Sequence, residues 1–145
     1  MRVLVDGDAC PDKEDIALLA HQYQKEMIVF VDYAHLLDDE KYEVRYCEVG
    51  KDSVDSAIIH EAKNGDLVIT QDYGLASFVL MKKALVLHVS GKVIDNQNIE
   101  ELLSYRYLSA HQRRIHKHIN GPSARTKETK TFFLTQLENI LKGQA

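Results

Sequence analysis

Short apolar runs alternate with longer amphipathic stretches along the first two thirds of the chain. The apolar runs are rich in Val, Ile and Leu and too short for buried helices, so they predict buried strands. These strands cover residues 3–5, 27–31, 42–49, 66–70 and 84–89. The stretches between them predict helices at 11–25, 52–63 and 74–83. Strands that alternate with helices indicate an α/β fold with a mainly parallel five-stranded sheet, which we expect in the order 3-2-1-4-5.

The pattern changes after Ser90-Gly91, where helical periodicity replaces the alternation. Residues 98–118 and 126–142 predict a helical C-terminal segment with a turn at Gly121-Pro122. No repeat, low-complexity tract or linker interrupts the chain, so a single domain is expected over residues 1–145.

Features of secreted and membrane proteins are not visible in the sequence. No apolar run approaches the roughly 18 residues that span a bilayer, and no signal peptide is visible. The two cysteines, Cys10 and Cys47, do not indicate a disulfide framework. We therefore expect a cytoplasmic protein that does not enter a membrane.

Acidic and basic residues are divided between the two parts of the chain. Residues 1–100 carry 10 Lys and Arg against 19 Asp and Glu, whereas residues 101–145 carry 8 against 3. An acidic body with a basic end suggests a metal site beside a surface that contacts an anion, although a solvated basic helix would look the same. The candidates for phosphate contacts are Arg106, Arg113, Arg114, Lys117, Arg125, Lys127 and Lys130.

Aspartates follow three of the predicted strands. Asp6 and Asp8 come directly after the first strand, Asp72 follows the fourth, and Asp52 and Asp55 begin the helix after the third. In the expected strand order the first and fourth strands are neighbours, so Asp6 and Asp72 would face each other at the carboxyl edge. Clustered carboxylates repel one another unless a cation is present, and oxygen ligands select hard cations. The sequence therefore predicts an Mg²⁺ or Mn²⁺ site suited to phosphoryl chemistry.

Several motifs resemble, in the same order, those of the YaiI/YqxD family of small bacterial proteins. They are Asp6-Gly7-Asp8-Ala9-Cys10-Pro11, Asp52-x-x-Asp55, Gly65-Asp66-Leu67-Val68-Ile69-Thr70-x-Asp72-x-x-Leu75-Ala76 and Gly121-Pro122. The likeness covers nearly the whole chain, and the family, which is largely uncharacterised, is regarded as PIN-like, of the NYN-type branch. The resemblance implies a three-layer α/β/α PIN-like domain and a metal-dependent ribonuclease site of acidic residues, with RNA as the partner.

Residue by residue, the resemblance assigns a role to each aspartate. Asp6 and Asp72 match the acids that follow the two central strands of PIN-like nucleases, and we expect both to bind the metal. Asp55, and less closely Asp52, matches the helical acid, and Asp8 matches the family's own second aspartate. Asp8 and Asp55 are expected to act through a water molecule or as a base. The predicted catalytic set is therefore Asp6, Asp8, Asp55 and Asp72, with Asp52 as a further metal ligand.

One further position has an expected role, and two positions depart from the pattern of the family. Thr70 ends the fourth strand and is expected to orient a metal ligand. Gly7 stands where Ala is expected, and Asn120 stands where Gly is commoner.

Two other classes of function stay open at this stage. A strand followed by Asp-x-Asp also begins haloacid dehalogenase-type phosphatases, in which the first Asp is a nucleophile. Against this, Ala9-Cys10-Pro11 is a poor match, no well-placed lysine precedes Gly65, and the chain is too short for a cap domain. A module that binds RNA or a protein without cleaving it is the other alternative, although massed carboxylates would not help a pure binder of phosphates.

Overall fold

A six-stranded sheet with helices on both faces forms the structure, which is a computed structural model. It describes residues 1–8, 10–32, 41–50, 52–115 and 125–143. Of these, residues 110 and 112–115 are described by their backbone alone. Within these ranges the strands are β1 (Arg2–Asp6), β2 (Glu26–Asp32), β3 (Glu43–Cys47), β4 (Leu67–Thr70), β5 (Leu85–His88) and β6 (Val93–Ile94). The helices are α1 (Lys13–Gln22), α2 (Ser53–Glu61), α3 (Tyr73–Met81), α4 (Ile99–Ile115) and α5 (Lys127–Gly143).

The strand order is β3-β2-β1-β4-β5-β6, which confirms the predicted order of the first five strands. These five strands are parallel, and β6 pairs with β5 in the antiparallel direction. The sixth strand was not predicted, because its two residues are too few to show an alternating pattern. The direction of winding reverses between β1 and β4, so a crevice is expected at their carboxyl ends.

The two faces of the sheet are covered by different helices. Val3 and Val5 of β1 face a core that also contains residues of α1 and α5, whereas Leu4 faces a core with residues of α2, α3 and α4. Successive side chains of a strand point to opposite faces, and both faces of this strand are apolar because both are buried. The predicted three-layer α/β/α arrangement with a helical C-terminal segment is therefore confirmed.

The first helix begins later than the sequence suggests. Pro11 was expected at the first helical position, but α1 begins at Lys13, and the first helical hydrogen bond runs from the Ile16 N–H to the Asp12 carbonyl at 3.0 Å. Asp12 has φ −107° and ψ 35°, outside the helical region, and its carboxylate is paired with Arg125. The Asp12 carboxylate therefore makes a long-range ion pair in place of a capping bond to α1, and the local sequence does not reveal this pair.

Ion pairs connect the elements at the amino edge of the sheet, opposite the crevice. Arg2 donates to the Asp66 carboxylate from its backbone N–H at 3.1 Å and from Nη2 at 2.8 Å. Its Nη1 contacts Glu61 Oε1 at 2.6 Å. Burial raises the pKa of Asp66, but hydrogen bonds from Arg2 and from the Lys63 N–H outweigh it and lower the pKa overall. This cluster joins β1, α2 and the start of β4.

Within the part of the chain that the structure describes, no helix is long and apolar enough to cross a membrane. The predicted turn at Gly121-Pro122, and with it Lys117 and Asn120, lies outside the described residues.

Candidate metal centre

Asp6 and Thr70 end the two central strands and contact each other. The Thr70 hydroxyl donates to Asp6 Oδ2 at 2.9 Å and accepts from the Asp72 N–H at 3.0 Å. Thr70 is fully buried, and Asp6 is 7% exposed. Burial raises the pKa of Asp6, the Thr70 hydrogen bond opposes this, and the charges of Asp8 and Asp72 add to the rise. Thr70 therefore fixes one oxygen of Asp6 and connects it to the start of α3.

Asp72 is the N-cap of α3. Its Oδ1 accepts from the backbone N–H groups of Gly74 at 2.8 Å and Leu75 at 3.1 Å. These bonds satisfy helix donors that have no partner within the helix, and the positive end of the helix dipole stabilises the carboxylate. Arg106 of α4 also approaches Asp72, with Nη1 at 3.4 Å from Oδ1. The Asp72 side chain is thus held in a defined orientation at the crevice.

Asp55 in the first turn of α2 completes a group of three carboxylates. Its pKa is raised to about 6, first by burial, then by the charges of Asp72 and Asp6, and further by a hydrogen bond with Asp72. Asp52 makes a smaller contribution to this rise. The structure therefore brings together Asp6, Asp55 and Asp72 from three different elements, as the strand order predicts.

Asp8 and Asp52 lie at the margin of this group. Asp8 is exposed, and its charge raises the pKa of both Asp6 and Cys47, the last residue of β3. Asp52 is exposed and has a left-handed backbone with φ 72°, and its side chain makes no capping bond to α2. A left-handed backbone is uncommon for a residue other than glycine, so Asp52 is a suitable position for functional tests.

Gly7 separates the two aspartates after β1 because nothing larger fits. Its N–H donates to the Phe30 carbonyl at 2.8 Å. A Cβ on Gly7 would lie 2.5 Å from Val31 Cγ1 and 2.6 Å from Val29 Cγ1. The departure from the expected Ala therefore has a steric cause: β2 packs directly against this residue.

Cations near the carboxylates were only partly foreseen from the sequence. Lys13 lowers the pKa of Asp6 and donates from Nζ to the Cys10 carbonyl at 2.7 Å. We did not single it out in the sequence. A positive charge in the first turn of a helix is unfavourable because of the helix dipole. This unusual placement of Lys13 is the sign in the sequence that the residue has another role.

The predicted basic residues of the C-terminal part are spread over different places. Of these basic residues, Arg106 is the one whose described side chain contacts a carboxylate of the candidate site, that of Asp72. Arg125 pairs with Asp12 and lies over the Phe133 ring, at 5.4 Å from its centre, and Lys130 pairs with Asp15 at 3.0 Å. The remaining four either are exposed on α5 or have side chains that the structure does not describe: Lys127, Arg113, Arg114 and Lys117.

Among the described residues, no three Asp, Glu, His or Cys side chains form a complete group that could hold a metal ion as they stand. The donor set nevertheless fits a hard cation. Asp6, Asp55 and Asp72 offer oxygen atoms alone, and the pKa of Asp55 is raised first by its burial and then by the charges of Asp72 and Asp6. A divalent cation would offset the like charges of these three carboxylates.

The mutual repulsion of these carboxylates makes a prediction for stability. The pKa of Asp55 in the folded protein is about 6, above its ordinary value of 3.8, so the folded state loses stability as pH rises from about 4 through 6. In EDTA at pH 8 we expect Asp55→Asn to be more stable than the wild type by about 1 kcal/mol, a value discounted for partial exposure. Urea unfolding at pH 8 and at pH 4, where the gain should vanish, measures this difference.

Glu100→Gln is the matched control for that experiment, because it removes an exposed carboxylate at the start of α4. We expect no gain from this variant at either pH. A variant Asp55→Asn that is less stable than the wild type at pH 8 would contradict the raised pKa of Asp55.

The fold and this group of residues define an α/β protein with an acidic site at the carboxyl edge of a parallel sheet. The family model described as "Uncharacterized BCR, YaiI/YqxD family" matches residues 4–143. The chain therefore belongs to the YaiI/YqxD family, which confirms the resemblance found in its motifs.

Individual relatives support the same family. A UPF0178 protein of Clostridium tetani is 43% identical over 128 residues, which cover 88% of each chain. A UPF0178 protein of Clostridium novyi is 42% identical over 142 residues, which cover 98% of this chain and 93% of the relative. Among solved structures, the W164L mutant of Rae1 (YacP) from Bacillus subtilis aligns over the full length of both chains, with 18% identity and a TM-score of 0.47.

Proposed function

We propose that this protein is a metal-dependent ribonuclease that hydrolyses phosphodiester bonds at the carboxyl edge of the sheet. The observation that carries the proposal is the convergence of Asp6, Asp55 and Asp72 at the reversal point between β1 and β4. The resemblance of the motifs to PIN-like nucleases supplies the choice of RNA as substrate.

In this proposal, Asp6 and Asp72 bind the cation directly, because both carboxylates are already held in place. The Thr70 hydroxyl orients Asp6, and the N–H groups at the start of α3 orient Asp72. Asp55 and Asp8 would help to hold the cation through a water molecule or would act as a base, and Asp52 would be a further ligand at the margin. Mg²⁺ or Mn²⁺, when bound, neutralises the phosphate and lowers the pKa of a water molecule.

Basic side chains have a different role in this proposal, which is to bind phosphate groups of the RNA. Arg106 is placed to bind a phosphate of the RNA close to Asp72, because guanidinium groups match phosphate oxygens in charge and geometry. Lys127 is exposed on α5 and is a candidate for contacts with more distant phosphates. We leave Arg125 and Lys130 out of the proposed RNA surface, because both are engaged in ion pairs with residues of the α1 region.

Calorimetric titration of Mn²⁺ into the metal-free protein tests the metal site independently of any substrate. We expect binding heat for the wild type and for the control Glu100→Gln, and no binding heat for Asp6→Asn at millimolar Mn²⁺. Equal binding by Asp6→Asn would place the metal elsewhere. Absence of binding by the wild type would contradict a metal site formed by the protein alone and would favour a non-catalytic binding module.

A further inference from the structure

Two tyrosines and an arginine come from α3 and α4, the helices that meet at Asp72. Tyr73 is the first residue of α3, directly after Asp72. Tyr105 and Arg106 are consecutive residues of α4, which packs against α3. The proposed function assigns no role to the two tyrosines.

The Tyr73 ring is held against the edge of the sheet by His88, the last residue of β5. The two ring centres are 5.3 Å apart, with the ring planes tilted by 32°. His88 is fixed in turn, because its Nδ1 accepts from the Ser90 N–H at 3.0 Å. Burial lowers the pKa of His88, so the ring that supports Tyr73 is neutral at pH 7.

Tyr105 lies close to Tyr73 and is open to solvent. Tyr105 precedes Arg106, which contacts Asp72, and Tyr73 follows Asp72, so the two tyrosines belong to segments of α4 and α3 that are in contact. Burial raises the pKa of Tyr73, and Tyr105 raises it further. Tyr105 is 68% exposed. An aromatic ring that is exposed to this degree contributes little to the core, and its face is available to a ligand.

Arg106 extends over the start of α3. Its Nη1 is 3.4 Å from Asp72 Oδ1, and a Cβ on Gly74 would lie 3.4 Å from the same nitrogen. The guanidinium therefore lies within van der Waals distance of the first turn of α3. The Arg106 guanidinium is therefore placed beside Asp72, the residue that precedes Tyr73.

We propose that Tyr73, Tyr105 and Arg106 form a stacking subsite that binds an unpaired base and its phosphate next to the carboxylates, so that the protein selects single-stranded RNA. This inference rests on the proposed function for the kind of ligand. Aromatic rings stack on the faces of bases, and Arg contributes a phosphate contact. In a duplex the base faces are covered by their neighbours, so paired RNA cannot occupy the subsite.

The chain contains a matched control for this subsite. Tyr107 is 65% exposed, nearly as much as Tyr105, and lies two positions further along the same helix. Two positions correspond to about 200° around a helix, so the two tyrosines face nearly opposite directions. Tyr107 stacks on His111 instead, with ring centres 6.4 Å apart and planes at 4°.

Fluorescence anisotropy with a labelled, unstructured RNA of about a dozen nucleotides tests the subsite. Binding is measured in EDTA and again in Ca²⁺, with the RNA verified as intact on a gel. We expect Tyr105→Ala to weaken binding about 5- to 100-fold, the range found for loss of one stacked base. Tyr105→Phe, which keeps the ring, and Tyr107→Ala should both bind like the wild type.

The same experiment with altered RNA separates stacking from a general loss of structure. The effect of Tyr105→Ala should disappear on an oligomer without bases, and the wild type should bind the annealed duplex more weakly than the single strand. Equal effects of Tyr105→Ala and Tyr107→Ala, equal affinity for duplex and single strand, or no RNA binding by the wild type would each overturn the subsite.

Failure of the subsite and failure of the proposed nuclease give different results. If the protein cleaves RNA in a metal-dependent way and Tyr105→Ala has no effect on RNA binding, the subsite is disproved and the proposed nuclease is not. Loss of binding confined to Tyr105→Ala, without cleavage in any metal, removes the nuclease and leaves a single-strand binding protein.

Discussion

Asp72→Asn and Asp6→Asn are each expected to abolish Mg²⁺- or Mn²⁺-dependent cleavage of single-stranded RNA while preserving the fold. An Asn oxygen at position 72 can still accept from the Gly74 and Leu75 N–H groups, and one at position 6 can still accept from Thr70. Each substitution therefore removes a charge and keeps its hydrogen bonds. We expect losses larger than the roughly 10- to 100-fold typical of residues that only support metal ligands.

Gel assays of RNA cleavage in Mg²⁺, Mn²⁺ and EDTA measure this loss, and thermal unfolding verifies the fold of each variant. Glu100→Gln, purified in parallel, should cleave like the wild type and excludes a contaminating nuclease as the source of activity. Full activity in both aspartate variants would disprove the assignment of these residues. Release of inorganic phosphate from a monoester, with no cleavage of RNA, would favour the phosphatase alternative.

A second large effect is expected at the amino edge of the sheet. Asp66→Asn should destabilise the protein by about 2–3 kcal/mol at pH 7, because the half-buried Arg2 loses the charge of its buried partner. The pKa of Asp66 is lowered in the folded protein, so its contribution to stability is complete above the ordinary value of 3.8 and is lost as pH falls below it. Urea unfolding at pH 7 and near pH 3 should therefore show a difference between variant and wild type that shrinks in acid.

Glu61→Gln is the comparison for that experiment. Glu61 contacts the same arginine but is more exposed than Asp66, so its replacement should cost less. If Asp66→Asn unfolds within about 0.5 kcal/mol of the wild type at pH 7, the ion pair does not stabilise the junction of β1 and β4.

Local patterns were sufficient to predict the sheet and the meeting of Asp6 with Asp72. Runs of buried residues define parallel strands, and the handedness of their connections restricts the strand order, so the ends of β1 and β4 become neighbours. The two-residue β6 was missed because it is shorter than the period that would reveal it. The pairing of the Asp12 carboxylate with Arg125 has no local signal, because the two residues are more than a hundred positions apart.

The surroundings of the carboxylates were harder to predict than the carboxylates themselves. The sequence marks Arg106 as a candidate for phosphate contacts but does not show that it lies beside Asp72. That proximity depends on the packing of α4 against α3, which arises from the tertiary fold and has no local signal. The contact between Tyr73 and His88 depends in the same way on the pairing of β5 with β4.

Selection for stability acts in opposite directions on the charged residues at the two edges of the sheet. At the amino edge, opposite charges attract, so a mutation there that removes a charge weakens the whole protein. At the carboxyl edge, like charges repel, and loss of Asp55 is expected to make the metal-free protein more stable. Selection for stability alone would therefore favour replacing such an aspartate, as in other sites where activity and stability are in conflict. Because the amino edge stabilises the fold, residues at the carboxyl edge can be replaced, and the chemistry of the site changed, while the fold is kept.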